Sequence, residues 1–193
     1  MKEGQMLQAQ QQVHAKKFRT TGRFVYICNR SVTHLSIGYR QSYIQKNCRK
    51  MKNEPFVIER VYQAPVDRVW KALTDRDEMK QWYFDIAGFR PEVGCEFQFE
   101  GGPQDRIYVH LCKVTEVIAG KKLQYSWAYK GYEGQSFVTF ELFPEGDKTR
   151  LKLTHEGLET FPDLADFKKE NFAEGWTAII GKLLPEYLSR SAA

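Results

Sequence analysis

Phe56-Val57-Ile58-Glu59-Arg60-Val61-Tyr62-Gln63-Ala64-Pro65-Val66-Asp67-Arg68-Val69-Trp70-Lys71-Ala72-Leu73-Thr74-Asp75-Arg76-Asp77-Glu78-Met79-Lys80-Gln81-Trp82 decides the fold of this chain. Residues 56–62 alternate in the two-residue period of a strand. Pro65 suits a first helical position, where a missing N–H costs nothing. Asp67 sits in that first turn, near the positive end of the helix dipole. Val66, Val69, Trp70 and Leu73 then form an i, i+3, i+4, i+7 stripe. Thr74 followed by Asp77 resembles a capping box for a second short helix, which would carry Met79, Trp82 and Tyr83 to the same core. A strand running directly into two short helices is the opening of an α+β domain.

Five alternating segments follow, separated by turn residues. Cys95-Phe97-Phe99 alternates with Glu96-Gln98-Glu100, and Gly101-Gly102-Pro103 turns the chain. Arg106–Val117 is read with Ile107, Val109 and Leu111 on its apolar face, so that Tyr108, His110 and Cys112 share the other. Leu123, Tyr125, Trp127 and Tyr129 share a face, as do Val138, Phe140 and Leu142, and finally Leu151, Leu153 and His155. The short spacing favours an antiparallel meander. From Asp163 or Leu164 the period becomes 3.6, with Phe167, Phe172, Trp176, Ile179, Ile180, Leu183, Leu184, Tyr187 and Leu188 on one stripe. About 25 helical residues would span ~38 Å. Pro185 cannot donate to the Gly181 carbonyl, which predicts a kink or break in the last turns. The expected architecture is a helix-grip fold: a curved, six-stranded antiparallel sheet around a long C-terminal helix.

Charge divides the chain at Met51. Residues 1–50 hold ten Lys or Arg against the single acid Glu3, whereas residues 51–193 hold nineteen against twenty-three. Such asymmetry reads as an extension joined to a globular domain. Residues 1–50 are expected to be a disordered or non-native extension, with a targeting or binding arm as the alternative. Residues 51–193 are expected to form one domain, large enough to bury a core without disulfide or metal.

Cys28, Cys48, Cys95 and Cys112 include no C-x-x-C pair and no histidine at metal-ligand spacing. Buried, reduced thiols in a cytoplasmic protein are the expectation. No apolar run is long enough to cross a bilayer. A folded part with net negative charge argues against nucleic-acid binding through the domain. Glu100-Gly101-Gly102 lacks the lysine and following helix of a phosphate loop.

Taken together, these segments resemble the START-related superfamily, also called SRPBCC or birch-pollen-allergen-like. Within it they resemble the branch named for the C-terminal domain of the activator of the heat-shock protein 90 ATPase. The resemblance covers roughly Glu54 to Arg190. It is carried by Ala64-Pro65, Val69-Trp70, Ala72-Leu73-Thr74 and Trp82, by Leu123-Gln124-Tyr125-Ser126-Trp127, by Thr149–His155, and by Gly175-Trp176 with Leu183 and Leu188. One departure is Val93-Gly94-Cys95, where members often show two glycines. The resemblance implies an internal cavity between sheet and helix but no single reaction.

The cavity wall is accordingly expected from Trp70, Trp82, Phe97, Phe99, Tyr125, Trp127, Phe140, His155, Trp176 and Ile180. Its ligand would be a hydrophobic or amphipathic small molecule, oriented by His155 or Tyr125, with no cofactor or metal. The alternatives are a chaperone-associated protein-interaction module, and an enzyme of the cyclase or hydrolase kind. The enzyme would require a histidine–carboxylate pair facing the cavity, for which His110 and His155 are the candidates.

Overall fold

The computed structural model describes residues 54–103 and 106–190. The expectations for residues 1–50, including Cys28 and Cys48, lie outside the described residues. Strand β1 (Phe56–Tyr62) leads into helices α1 (Val66–Thr74) and α2 (Arg76–Met79). Strands β2 (Glu96–Gly101), β3 (Tyr108–Ile118), β4 (Lys122–Tyr129), β5 (Ser136–Glu145) and β6 (Lys148–Glu156) follow. They form one antiparallel sheet in the order β1-β6-β5-β4-β3-β2. The meander therefore closes with the last strand against the first, and β1 and β2 form its edges. A bulge between Val114 and Glu116 breaks the register of β3 with β4, a feature that bends a strand and increases its twist.

Asp75 caps α2, accepting from the backbone N–H groups of Asp77 and Glu78. This corrects the expected capping box on Thr74. The Thr74 hydroxyl instead donates back to the Trp70 carbonyl of its own helix, which leaves Asp75 as the first side chain free to reach the orphan N–H groups.

The closing helix also differs from expectation. Two 3-10 turns, Leu158–Thr160 and Ala165–Phe167, occupy the region where it was expected to begin. Helix α3 (Lys169–Ala178) starts five residues after Leu164, a π-type stretch covers Ile179–Leu183, and α4 (Leu184–Arg190) completes the chain. The widening explains how the helix accommodates Pro185. The Leu184 N–H bonds to the Ile179 carbonyl, five residues back. In that pattern residue 185 would serve the Ile180 carbonyl, but proline has no N–H. The Tyr62 hydroxyl from β1 takes its place, donating to the Ile180 oxygen at 2.6 Å. The orphaned carbonyl is thus that of Ile180 rather than Gly181, and it is satisfied across the core.

Strand β3 faces the opposite way to the sequence reading. Ile107, expected in the core, is 69% exposed, and Leu111 also reaches solvent. Tyr108, His110, Cys112 and Val114 are the buried set. The flip places a histidine inside the fold. In β2, β4, β5 and β6 the buried faces are those expected: Phe97 and Phe99; Leu123, Tyr125, Trp127 and Tyr129; Val138, Phe140 and Leu142; Leu151, Leu153 and His155.

Candidate functional site

The space between sheet and closing helix has two ends. At one end Trp82, Tyr83, Phe97, Tyr125, Phe140 and Trp176 pack with Leu73, Met79, Ile86, Phe89 and Leu123 around a void of only about 10 Å³. That is scarcely room for one water. The rings fill it by edge-to-face contact, Phe97 on Tyr125 at 5.4 Å and Phe140 on Trp176 at 5.9 Å between centroids. At the other end a cleft of about 190 Å³ remains. An apolar cavity of about 150 Å³ accommodates benzene, so this cleft has room for about one or two rings.

Helix α3 forms one wall of the cleft through Phe172, Gly175, Trp176 and Ala178, continued by Ile179. Strands β2, β3 and β4 supply the other through Phe99, Tyr108, His110, Trp127 and Tyr129. Phe84, from the segment after α2, and Phe167 also border it, and the more exposed Gly101-Gly102-Pro103, Asp166 and Asn171 form the rim. Gly175 contributes to the opening directly: a Cβ built there meets no atom within 4 Å.

Of the residues expected to line a cavity, Phe99, Trp127 and Trp176 border this cleft. Trp82, Phe97, Tyr125 and Phe140 surround the filled end. Trp70, His155 and Ile180 border neither space. Trp70 is half-buried on α1 and packs against the core from outside, because the stripe that enters the core is Val69, Ala72 and Leu73.

His155 is fully buried and engaged on both ring nitrogens. The Trp176 Nε1–H donates to its Nδ1 at 2.9 Å, and its Nε2 lies 2.8 Å from the Ser136 hydroxyl. An indole N–H can only donate, so Nδ1 is the acceptor and Nε2 carries the proton. Nε2 therefore donates to Ser136 Oγ and is unable to withdraw a proton from it. The Ser136 hydroxyl turns onward to the Trp127 carbonyl at 3.4 Å. Burial holds the imidazole neutral, with its pKa lowered to about 3. The Ser136–His155 pair has the composition of a nucleophile and base but the opposite hydrogen-bond polarity. It works as a tie between helix and sheet.

His110 is the histidine within the cleft. Its ring stacks on Phe99 with centroids 4.4 Å apart and planes 5° from parallel, and Phe84 stacks on the other face of Phe99 at 4.5 Å. Nδ1 lies 3.3 Å from the Phe99 carbonyl. A carbonyl only accepts, so Nδ1 carries the proton and Nε2 keeps a bare lone pair. Desolvation lowers the pKa of this ring to about 4. Trp127 meets His110 edge-on at 4.8 Å. Its indole N–H is buried without a hydrogen-bond acceptor, although it is near enough to ease the ionisation of Tyr129 against the upward push of burial.

At the rim, the Tyr108 hydroxyl donates to Asp166 at 2.7 Å and Arg106 reaches the same oxygen at 3.3 Å. Asn171 donates to the Ala165 carbonyl. Asp166 is thus committed to a tyrosine and an arginine. Among the described residues neither histidine is hydrogen-bonded to a carboxylate, and no group of three His, Cys, Asp or Glu side chains is placed to hold a metal. Burial pushes the Cys112 thiol up in pKa, which keeps it protonated and unreactive. No helix among the described residues is long and apolar enough to cross a membrane.

Sequence reasoning named His110 as a candidate base but not as part of the cavity wall, because alternation alone grouped Ile107, Val109 and Leu111 as the apolar face. Phe84, Tyr108, Tyr129, Phe167 and Phe172 were also missed as cleft residues. The available signal was the aromatic content of the 108, 110, 112 set.

A search among curated proteins finds no match. Among solved structures, protein MLL2253 from Mesorhizobium loti is 27% identical, with a TM-score of 0.59 over 72% of this chain and 98% of that one. CalU16 from Micromonospora echinospora is 26% identical, with a TM-score of 0.53 over 72% and 78%. DynU16, encoded in the dynemicin biosynthetic locus, shares the fold at 21% identity and a TM-score of 0.60. The alignment covers 72% of this chain and 48% of DynU16, so this chain matches about half of it. The family described as Activator of Hsp90 ATPase homolog 1-like protein matches residues 63–189. With that match over most of the sequence, and a helix-grip sheet closed by its C-terminal helix, the chain belongs to the Activator of Hsp90 ATPase homolog 1-like family.

Proposed function

We propose that this domain binds a small, largely apolar, ring-containing molecule in the cleft between β2–β4 and α3. The observation that carries this reading is the unequal filling of the interior. One end is packed solid by its own rings, while the other keeps about 190 Å³ open beside Phe99, His110 and Trp127. Apolar walls with a few placed polar groups are the usual composition of a ligand site. Burial of the ligand's apolar surface, on the order of 25 cal/mol per Å², drives association before ordering costs are subtracted. The likeness to DynU16, from a biosynthetic locus, is in keeping with a role in handling such molecules.

The outer face of the sheet fits less well as a protein-docking surface. Lys113–Glu96, Lys152–Glu141 and Arg150–Glu59 ion pairs cross it, and its exposed apolar side chains are divided between Val57 and Val61 on the edge strand β1 and Leu111 on β3, with β6, β5 and β4 between them.

Titration of the intrinsic tryptophan fluorescence with naphthalene tests the proposal. Saturable binding is expected in the wild type, and its loss is expected in Gly175→Phe, which fills the cleft from a position with open space. A wild type that shows no saturable binding, or a Gly175→Phe variant that binds equally well, would overturn it.

A further inference from the structure

The cleft is bordered by a hydrogen-bond acceptor and an unpaired donor on neighbouring rings. His110 Nε2 is an acceptor, because Nδ1 spends the ring's proton on the Phe99 carbonyl. The ring is only 6% exposed and borders the opening. Trp127 Nε1–H is a buried donor without an acceptor. The rings touch edge to face, at 4.8 Å between centroids, and both border the opening. Buried polar groups are normally paired, and each orphan calls for an explanation. A bound group that both donates and accepts would satisfy the two together.

We infer that the cleft is selective for an uncharged aromatic ligand carrying a hydroxyl group, which donates to His110 Nε2 and accepts from Trp127 Nε1–H. This rests on the ligand-binding reading above and adds the chemistry of the bound group. A phenol or enol hydroxyl has both functions on one oxygen. A ring without a hydroxyl offers neither atom a partner. A methyl ether can accept from Trp127 but has nothing to give His110. A carboxylate would set negative charge against the Nε2 lone pair and would have to be desolvated among Phe99, Phe84 and Phe172. The neutral state of His110 at ordinary pH supports the assignment. Around this pair the cleft presents the hydroxyls of Tyr108 and Tyr129, and Asn171 and the Asp166–Arg106 pair at its rim. Of these, Tyr108 is committed to Asp166 and the Asn171 amide nitrogen to the Ala165 carbonyl.

The test compares four probes on the full chain by fluorescence titration: 2-naphthol, 2-methoxynaphthalene, naphthalene and 2-naphthoate. The expected result is binding of 2-naphthol about tenfold tighter than each of the others. In His110→Phe, which keeps the stack on Phe99, the advantage over 2-methoxynaphthalene should shrink to within about twofold. If all four probes bind the wild type equally, or 2-naphthoate binds best, the hydroxyl assignment is overturned while ligand binding stands. An advantage that survives intact in His110→Phe also overturns it. If no probe binds, both readings fall. The wild-type comparison needs no variant, so a His110→Phe protein that fails to fold leaves the test decisive.

Discussion

Trp176 on α3 donates its indole proton to Nδ1 of His155 on β6, 2.9 Å away and out of reach of solvent. This single bond fixes the tautomer of the histidine, and the tautomer in turn fixes the direction of the Ser136 hydrogen bond. It joins the closing helix to three adjacent strands through one polar chain in an otherwise apolar interior. Two predictions come from it. Nitrogen NMR of His155 should show the Nε2–H tautomer at pH 7. Trp176→Phe should lower stability by about 2–4 kcal/mol, since it leaves an acceptor unpaired and a partial void. An Nδ1–H tautomer would contradict the chain of donors described above.

Two buried histidines make the fold sensitive to acid. His110 and His155 are lowered to about 4 and about 3 from 6.5. Between those values and 6.5 the unfolded chain binds protons that the native one refuses. Their contribution is therefore complete above about pH 6.5 and is lost as pH falls toward 4. Each should cost on the order of 3 kcal/mol by pH 4. Urea unfolding at pH 7 and pH 4.5 checks this: His110→Gln should show a flatter dependence than the wild type, and an equal slope would count against the burial argument.

The Tyr62–Ile180 bond offers a cleaner probe of how the helix tolerates Pro185. Tyr62→Phe removes one oxygen and leaves the Ile180 carbonyl unpaired in the core. A loss of about 1–3 kcal/mol is expected. Thermal unfolding measures it, and a change below a few tenths would mean that the carbonyl finds another donor.

Gly134 carries a separate constraint. Its φ is 102°, and a Cβ there would lie 2.6 Å from the Thr160 carbonyl oxygen. Thr160 also bonds the neighbouring Gln135 backbone on both sides. Gly134→Ala should destabilise by about 2 kcal/mol or more, whereas Gly120→Ala, with a positive φ but open space, should cost about 1 kcal/mol. Equal losses would remove the close-approach argument.

Much of the fold was legible because period and turn chemistry agreed along most of the chain. Pro65 next to the start of α1 (as its N-cap rather than its first residue), Val69 and Leu73 of the expected stripe, and the buried faces of β4, β5 and β6 all point one way. Strand β3 was not legible by the same rule, because both of its faces are rich in apolar or aromatic side chains. Its orientation depends on long-range partners: Tyr108 reaches Asp166, and His110 stacks on Phe99. The helix start was misplaced for a related reason. Leu164 and Phe167 fall on the helical period, yet Phe167 packs on Tyr129 from a 3-10 turn. The cleft depends on volumes rather than patterns. Which rings fill the interior and which leave it open follows from how Trp82, Tyr83 and Phe97 pack, and no spacing in the sequence carries that.

The location of the ligand is the central claim, and the four tryptophans of the chain report on it without any substitution. Trp127 and Trp176 border the cleft, Trp82 sits at the filled end with its Nε1–H on the Ala72 carbonyl, and Trp70 lies on α1 away from both. The indole N–H region of a proton–nitrogen correlation spectrum, recorded during titration with 2-naphthol, should show the Trp127 signal shifting most. Trp176 should follow, with Trp70 and Trp82 unchanged. A spectrum in which Trp82 moves and Trp127 stays still would place the ligand elsewhere and contradict the account.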